Sequence, residues 1–284
     1  MFEITEKSLA AVMLRDPSQS RLEVLEEQSL APSPSTPNMV RPQSFRDALA
    51  RMGSAPHRHA TAALVIPDYA VRMSVLDFEN FPAGEEERSA LVRFRLRKSV
   101  PFHIEEAQVA CSIQLQEEKR IEVLAVAIAR PILTEYESLF QDAGFRVGIV
   151  TPSCIAAMPL YAGKESGLSL VTKLAGSTLS VLLLQQGRVR LVRCLDLTAD
   201  EAELATQSED SVLSLLQQTL AFAEDQIGSR PERLLLCGFG SQTDILGKLA
   251  EREFKVPYSQ VRSKFGAAAQ ANAGLLGLLE QYAA

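Results

Sequence analysis

The stretch KLAGSTLSVLLLQQGRVRLVRCL, residues 173–195, decides how the chain is read. It predicts a strand, a polar turn at Gln185–Gln186–Gly187 and a second strand, because aliphatic and β-branched residues flank a turn-forming cluster. At its mouth stand Ala175–Gly176–Ser177–Thr178, four small residues beside a buried strand. Such a run lets backbone N–H groups approach a phosphate. It serves equally well as the entry to a hairpin.

Outward from this hairpin, strand-like and helix-like segments alternate, which indicates an α/β protein. Downstream, SEDSVLSLLQQTLAFAEDQIG predicts a long helix and RLLLCGFGS a strand. GAAAQANAGLLGLLEQ predicts a small-residue helix packed closely on its neighbours, so this half reads as one lobe. Upstream, residues 9–14 and 21–28 predict a hairpin around Asp16–Pro17, and APSPSTPNMVRP an exposed loop without core-forming pattern. Ser44 is the expected cap of a helix running to Met52 and stopped by Gly53, after which TAALVIP reads as a buried strand. The segment between is self-contained: AVRMSVLDF as a strand, EEERSALVRFRLRKSV as a helix, EEAQVACSIQLQ and RIEVLAVAIAR as paired strands, and a helix over 131–143 stopped by Gly144. Val92, Phe94 and Leu96 also fit a strand. Glu85–Glu87 at the start and Arg95, Arg97 and Lys98 at the end favour the helix through its dipole.

Bulk composition narrows the function classes. A chain of 284 residues, 46% hydrophobic and 23% charged, has the material for one two-lobed unit or two domains. Its formal charge of −6 supplies no general attraction to nucleic acid or anionic lipid. Cys111, Cys154, Cys194 and Cys237 are widely spaced in apolar surroundings, so they read as buried packing residues in a reducing compartment. No run approaches the roughly 18 apolar residues of a membrane span, and the N-terminus lacks a signal-peptide pattern. The expectation is a cytoplasmic chain.

Few residues carry recognisable chemistry. His57 and His59 read as solvated loop residues and His103 as a turn residue, since spacing shows no metal partners. No GxSxG, HExxH or Walker A motif is present, nor a GxGxxG after the first strand. RFRLRK reads as a solvated helix face rather than a phosphate contact. ADEAELATQSED reads as an exposed segment without EF-hand spacing.

The order of ALVIPDYAVRMSVLDF, VPFHIEEAQV, EVLAVAIARPILTEYESLFQDAGFRVGIVTPSCIAAM, the hairpin from Lys173 and RLLLCGFGS resembles the actin-like pilus-assembly proteins of the PilM type, relatives of FtsA. The resemblance spans nearly the whole chain. It implies an actin-like (RNase H-like) two-lobed fold with an inserted small α/β (SHS2-like) domain. The first lobe would comprise 1–70 and 146–166, the insertion 71–145 and the second lobe 167–284.

That family holds nucleotide with two phosphate loops of the form DIGSSS and DIGAST and a glycine-rich AGGGA turn near the adenosine. Here the first loop corresponds to EITEKS, with Glu3 for the aspartate, Thr5 for the glycine and Glu6 as an extra charge that repels polyphosphate. The second corresponds to KLAGST, where Lys173 replaces the aspartate, Ala175 the glycine, and Gly176, Ser177 and Thr178 remain. The third becomes CGFGS, in which Gly238 and Gly240 persist and the Phe239 ring is expected to fill the space of a base. The resemblance thus implies a degenerate nucleotide pocket with no catalytic residue, metal or cofactor, weak metal-free ATP binding being the alternative. What it leaves is a scaffold, at the inner membrane through its partner, that holds the N-terminal tail of a bitopic PilN-type protein in a groove between the first lobe and the insertion. No nucleic acid and no direct membrane insertion are expected, and a homo-oligomer stays open. A nucleotide-binding pilus ATPase and a GspL-like anchor of a type II secretion system are the competing readings.

Overall fold

A computed structural model of the protein describes residues 1–53, 60–161, 167–197 and 210–283. Two five-stranded sheets are built to one plan. In the first, β1 (Phe2–Ile4), β2 (Ser8–Met13) and β3 (Asp16–Val24) run antiparallel, and β4 (Thr61–Ile66) and β8 (Arg146–Pro152) extend it in parallel, in the order β3-β2-β1-β4-β8. The second repeats this with β9 (Leu168–Ala175), β10 (Thr178–Gln185), β11 (Arg188–Asp196), β12 (Arg233–Cys237) and β13 (Tyr258–Gln260), in the order β11-β10-β9-β12-β13. The opening stretch therefore contributes to three strands, since Lys173–Ala175 end β9 and Gly176–Ser177 turn the chain into β10.

Strand alternation sorts side chains between two cores. Leu170 and Leu174 of β9 and Leu179, Val181 and Leu183 of β10 share a core with Val212, Leu216 and Leu220 of α6 (Asp210–Phe222) and Leu246, Ala250 and Phe254 of α7 (Thr243–Phe254). The opposite parity faces the other lobe. There Val171, Leu182 and Leu184 join Cys154 of α4 (Ser153–Ala156), Tyr161 of α5 (Met158–Tyr161) and Leu275, Leu276 and Leu279 of α8 (Ala273–Tyr282). Lys173 and Ser180 occupy positions of this inward parity, as does Glu3 between Phe2 and Ile4, so three polar side chains point into the junction of the lobes.

The helix between Arg130 and Asp142 (α3) corrects the expected domain boundary. Its Ile132, Tyr136, Leu139 and Phe140 are buried with Phe2, Ile4, Phe45 and Leu64 in the core of the first lobe. The insertion is therefore β5 (Arg72–Phe78), α2 (Glu85–Leu96), β6 (Ala107–Gln116) and β7 (Ile121–Ala129), a strand–helix–strand–strand unit with sheet order β5-β7-β6. It leans on the second lobe: Arg190 of β11 forms a two-point ion pair with the buried Glu122 of β7 at 2.6 and 2.9 Å, and the Val189 N–H donates to Gln114 Oε1 at 2.8 Å.

Local details differ from expectation for identifiable reasons. The first helix, α1 (Pro42–Met52), starts at a proline with no side-chain cap, so Ser44 lies inside it; Gly53 does end it, at φ +102°. The loop before it is not freely exposed. Glu135 of α3 accepts the backbone N–H groups of Asn38 and Met39 at 2.7 and 3.0 Å, and the Tyr136 hydroxyl donates to the buried Asn38 side chain at 2.9 Å. Cys111 is exposed on the edge strand β6, Cys194 is half-buried, and only Cys154 and Cys237 are fully buried; all four are free thiols. The last helix begins at Ala273 rather than Gly266 and packs on α4 and α5 of the first lobe, so it closes the junction instead of belonging to the second lobe alone.

Gly277 permits that closure, because a Cβ built there would lie 2.1 Å from the Ala156 carbonyl oxygen. Gly277→Val is expected to cost about 2–3 kcal/mol through overpacking, read as a lower urea midpoint; an unchanged midpoint would show that α8 shifts freely.

Candidate functional site

The turns named by sequence meet in the cleft between the two sheets. Each lobe contributes the turn after its first strand, and the chain beyond β12 and β15 (Gly266–Ala267) supplies the remaining wall. Gly176 adopts the left-handed conformation at φ +58°, which leaves the Ser177 amide facing the first lobe. That amide and the Ser177 hydroxyl both donate to Glu6 Oε1, each at 2.7 Å. A Cβ on Gly176 would lie 2.4 Å from the same oxygen. The Glu6 carboxylate thus occupies both donors of this turn.

Thr5 acts locally. Its N–H and side chain bond to Ser8, the hydroxyls 2.6 Å apart, and its backbone is not in the left-handed region, so the glycine of the family's loop has no counterpart need here. Gln270 joins the other two turns, accepting the Gly176 N–H at 3.0 Å and donating to the Gly238 carbonyl at 2.9 Å. Gly238, at φ +84°, is required because a Cβ would sit 2.0 Å from the Leu174 carbonyl oxygen; Gly240 is exposed. Phe239 corrects its expected role: the ring is buried with Leu174, Leu236 and Leu246 in the second-lobe core, not across the third turn.

Deeper in the cleft, Lys173 is fully buried with its ammonium 3.6 Å from Asp68 Oδ2. Asp68 also accepts the Cys154 N–H and the Ser180 hydroxyl, each at 2.7 Å. Glu3 accepts the Ser153 hydroxyl at 2.5 Å and the Gly274 and Leu275 N–H groups at 3.3 and 2.8 Å, placing its carboxylate at the positive end of α8. Burial alone would lower the pKa of Lys173, but Asp68 and Glu3 outweigh it and hold the ammonium above the ordinary lysine value. Burial likewise raises Glu3, and there it prevails over Lys173 and the three donors, since the one ammonium is shared with the nearer Asp68. Asp68, Ser153, Ser180 and Gln270 escaped the sequence reading. Only the apolar setting of Asp68 in VIPDYA hinted at a buried charge.

Ala175 and the buried Thr178 line, with Glu3, Glu6, Asp68 and Gln270, a residual cavity of about 10 Å³. That is room for about one water. Outside the Glu6–Ser177 contact the cleft widens into an open groove of about 690 Å³ beside Thr5, Lys7, Gly176, Asp196 and Leu197. The residues present do not fit a magnesium–nucleotide: a carboxylate sits on the phosphate donors and an ammonium stands between the acidic groups. Among the described residues no cluster of three or more His, Cys, Asp or Glu side chains is placed to hold a metal ion. His57, His59 and nearly all of the acidic stretch 199–210 lie outside the described residues, and His103 is an exposed turn residue.

This arrangement of duplicated sheets around a cleft has known counterparts. A chain of a PilM–PilN type IV pilus biogenesis complex superposes with a TM-score of 0.79 at 16% identity, covering 100% of this chain and 98% of that one. A Bacteroides thetaiotaomicron protein described as having an actin-like ATPase fold and unknown function gives 0.58 at 11% identity over 98% and 93% of the two chains. The fold is actin-like. The ethanolamine utilization protein EutJ of Carboxydothermus hydrogenoformans gives 0.51 at 10% identity, covering 98% and 88%. The sequence matches no protein-family model and no curated protein. The likeness read from residue order therefore holds at the level of the actin-like fold.

Removing the buried cation tests the electrostatics of this actin-like cleft. Lys173→Met leaves two carboxylates without their ammonium and is expected to cost about 3–5 kcal/mol, whereas Lys173→Met with Glu3→Gln and Asp68→Asn should recover part of that loss in denaturant titration. The sign of the pH effect follows from the raised pKa: the stability Lys173 contributes is complete below the unfolded value of 10.5 and is lost as pH rises through the higher folded value. Stability curves between about pH 9 and 12 should fall less steeply in the Met variant; parallel curves would contradict the assignment.

Proposed function

We propose that the chain is a PilM-like scaffold of type IV pilus assembly, which binds the N-terminal tail of a PilN-type inner-membrane protein without hydrolysing ATP. The observation that carries this reading is the Glu6 carboxylate on the Ser177 amide and hydroxyl. Hydrolysis in an actin-like cleft needs donors that wait for phosphate and carboxylates that hold a metal. Here the donors are engaged and the second loop carries Lys173. Full-length superposition on the PilM–PilN structure supports the kind of assembly and the kind of partner.

The tail's groove belongs between the first lobe and the insertion. β8 ends the first sheet, β6 ends the inserted sheet, and α3 approaches both. On β8 the exposed isoleucine is Ile149. An extended tail adds to such an edge through backbone hydrogen bonds and seats its apolar side chains alongside. No described helix is long and apolar enough to cross a membrane, so in this reading the partner supplies the inner-membrane attachment.

Calorimetry tests both halves. Titration with ATP and magnesium is expected to give no binding heat and no hydrolysis. A synthetic peptide of the tail of the PilN-type protein from the same genome is expected to bind saturably, equally well with and without ATP, and more weakly to Ile149→Lys. Magnesium-dependent turnover would establish the ATPase reading instead, and a tail peptide that fails to bind would remove the scaffold reading.

A further inference from the structure

We propose that β3 pairs edge to edge with β3 of a second copy of this chain, antiparallel and centred on Leu22, joining the two first sheets into one. The inference does not depend on the pilus assignment. β3 is the outer strand of its sheet, and no described strand pairs with its far side. Leu25 N–H donates to Lys7 O, and Leu22 and Val24 stand opposite Ala10 and Ser8. In an antiparallel ladder the hydrogen-bonded positions alternate, so over the regular pairs the N–H and C=O groups of Leu22 and Val24 point away from β2. An open edge of this kind is a template for another strand.

The side chains agree with the backbone. Of the ten large apolar residues exposed among the described ones, four lie on the β2–β3 hairpin: Met13, Leu14, Leu22 at 54% and Val24 at 69%. Pro17 and the register irregularity opposite Ala11–Met13 both lie before Arg21, so 21–24 is the regularly paired stretch of the edge. Leu22 and Val24 have the same strand parity, so they present one apolar strip.

Charge selects the partner and the register. Arg21 and Glu23 flank Leu22 on the other face, where Arg21 donates to the Met52 carbonyl at 2.9 Å and Glu23 pairs with Arg51 at 2.9 Å. Centring a two-fold pair on Arg21 or Glu23 would set like charges directly opposite. Centring it on Leu22 sets Arg21 of each copy opposite Glu23 of the other, and Leu22 opposite Leu22. Those Arg–Glu positions are the non-hydrogen-bonded ones, where facing side chains lie closest. A second copy of this chain therefore supplies the apolar complement, and its Arg21 and Glu23 add to the contacts these residues already make with Met52 and Arg51.

Sedimentation velocity of the full chain up to about 100 μM is expected to show a concentration-dependent dimer. Arg21→Glu and Glu23→Arg should each weaken it about tenfold, because each variant opposes like charges twice. Their equimolar mixture should restore association, since Glu at 21 then faces Arg at 23 across the pair; formation of that heterodimer also shows that both variants are folded. A wild-type chain that stays monomeric, including one that binds a foreign peptide along β3, would overturn the proposal. So would a dimer indifferent to both reversals, or a mixture that fails to associate.

Discussion

A buried ammonium tolerates only a narrow set of surroundings, and Lys173 imposes that limit on the whole molecule. Its side chain comes from the central hairpin of the second lobe, while the carboxylates that balance it, Asp68 and Glu3, come from the first. Pulling the lobes apart would strand charges on both sides in apolar walls. The close approach of α8 through Gly274 and Gly277 and the packing of α4 beneath it make that separation still less favourable. Closure in this fold thus brings the protein's own opposite charges together.

Two charged groups of the chain's own stand inside the cleft. Lys173 brings positive charge among the acidic groups, and Glu6 brings a carboxylate to the left-handed turn at Gly176. Both come from loops that the sequence aligns with phosphate loops. Substitutions that look like damage when each loop is viewed alone become complementary when the loops face one another. Glu6 reads as repulsion until its partner is seen to be Ser177.

Those residues also mark the limit of what sequence could tell. The strands were legible because β9 and β10 are rich in aliphatic residues and are followed by turns at Gly176 and Gly187, and because Gly53 and Gly144 follow their helices. The pairing of Glu6 with Ser177 was not, since 171 residues separate the partners and nothing local announces the contact. Phe239 misled for a related reason: its neighbours Gly238 and Gly240 point to a ligand turn, whereas the ring follows its own direction into the core. The extent of the insertion depended on which sheet α3 covers. Its apolar stripe is the same whichever sheet it meets.

The docking of the insertion on β11 carries a mechanical consequence. The insertion grows out of the first lobe by two covalent connections, before β5 and after β7, and it is fastened to the second lobe by the Arg190–Glu122 pair, whose glutamate is buried. The two lobes meet each other at Lys173 and α8. Three bodies joined pairwise form a triangle, and a triangle, unlike two plates on a hinge, cannot flex without breaking a side. Force applied to one body is therefore shared by the other two.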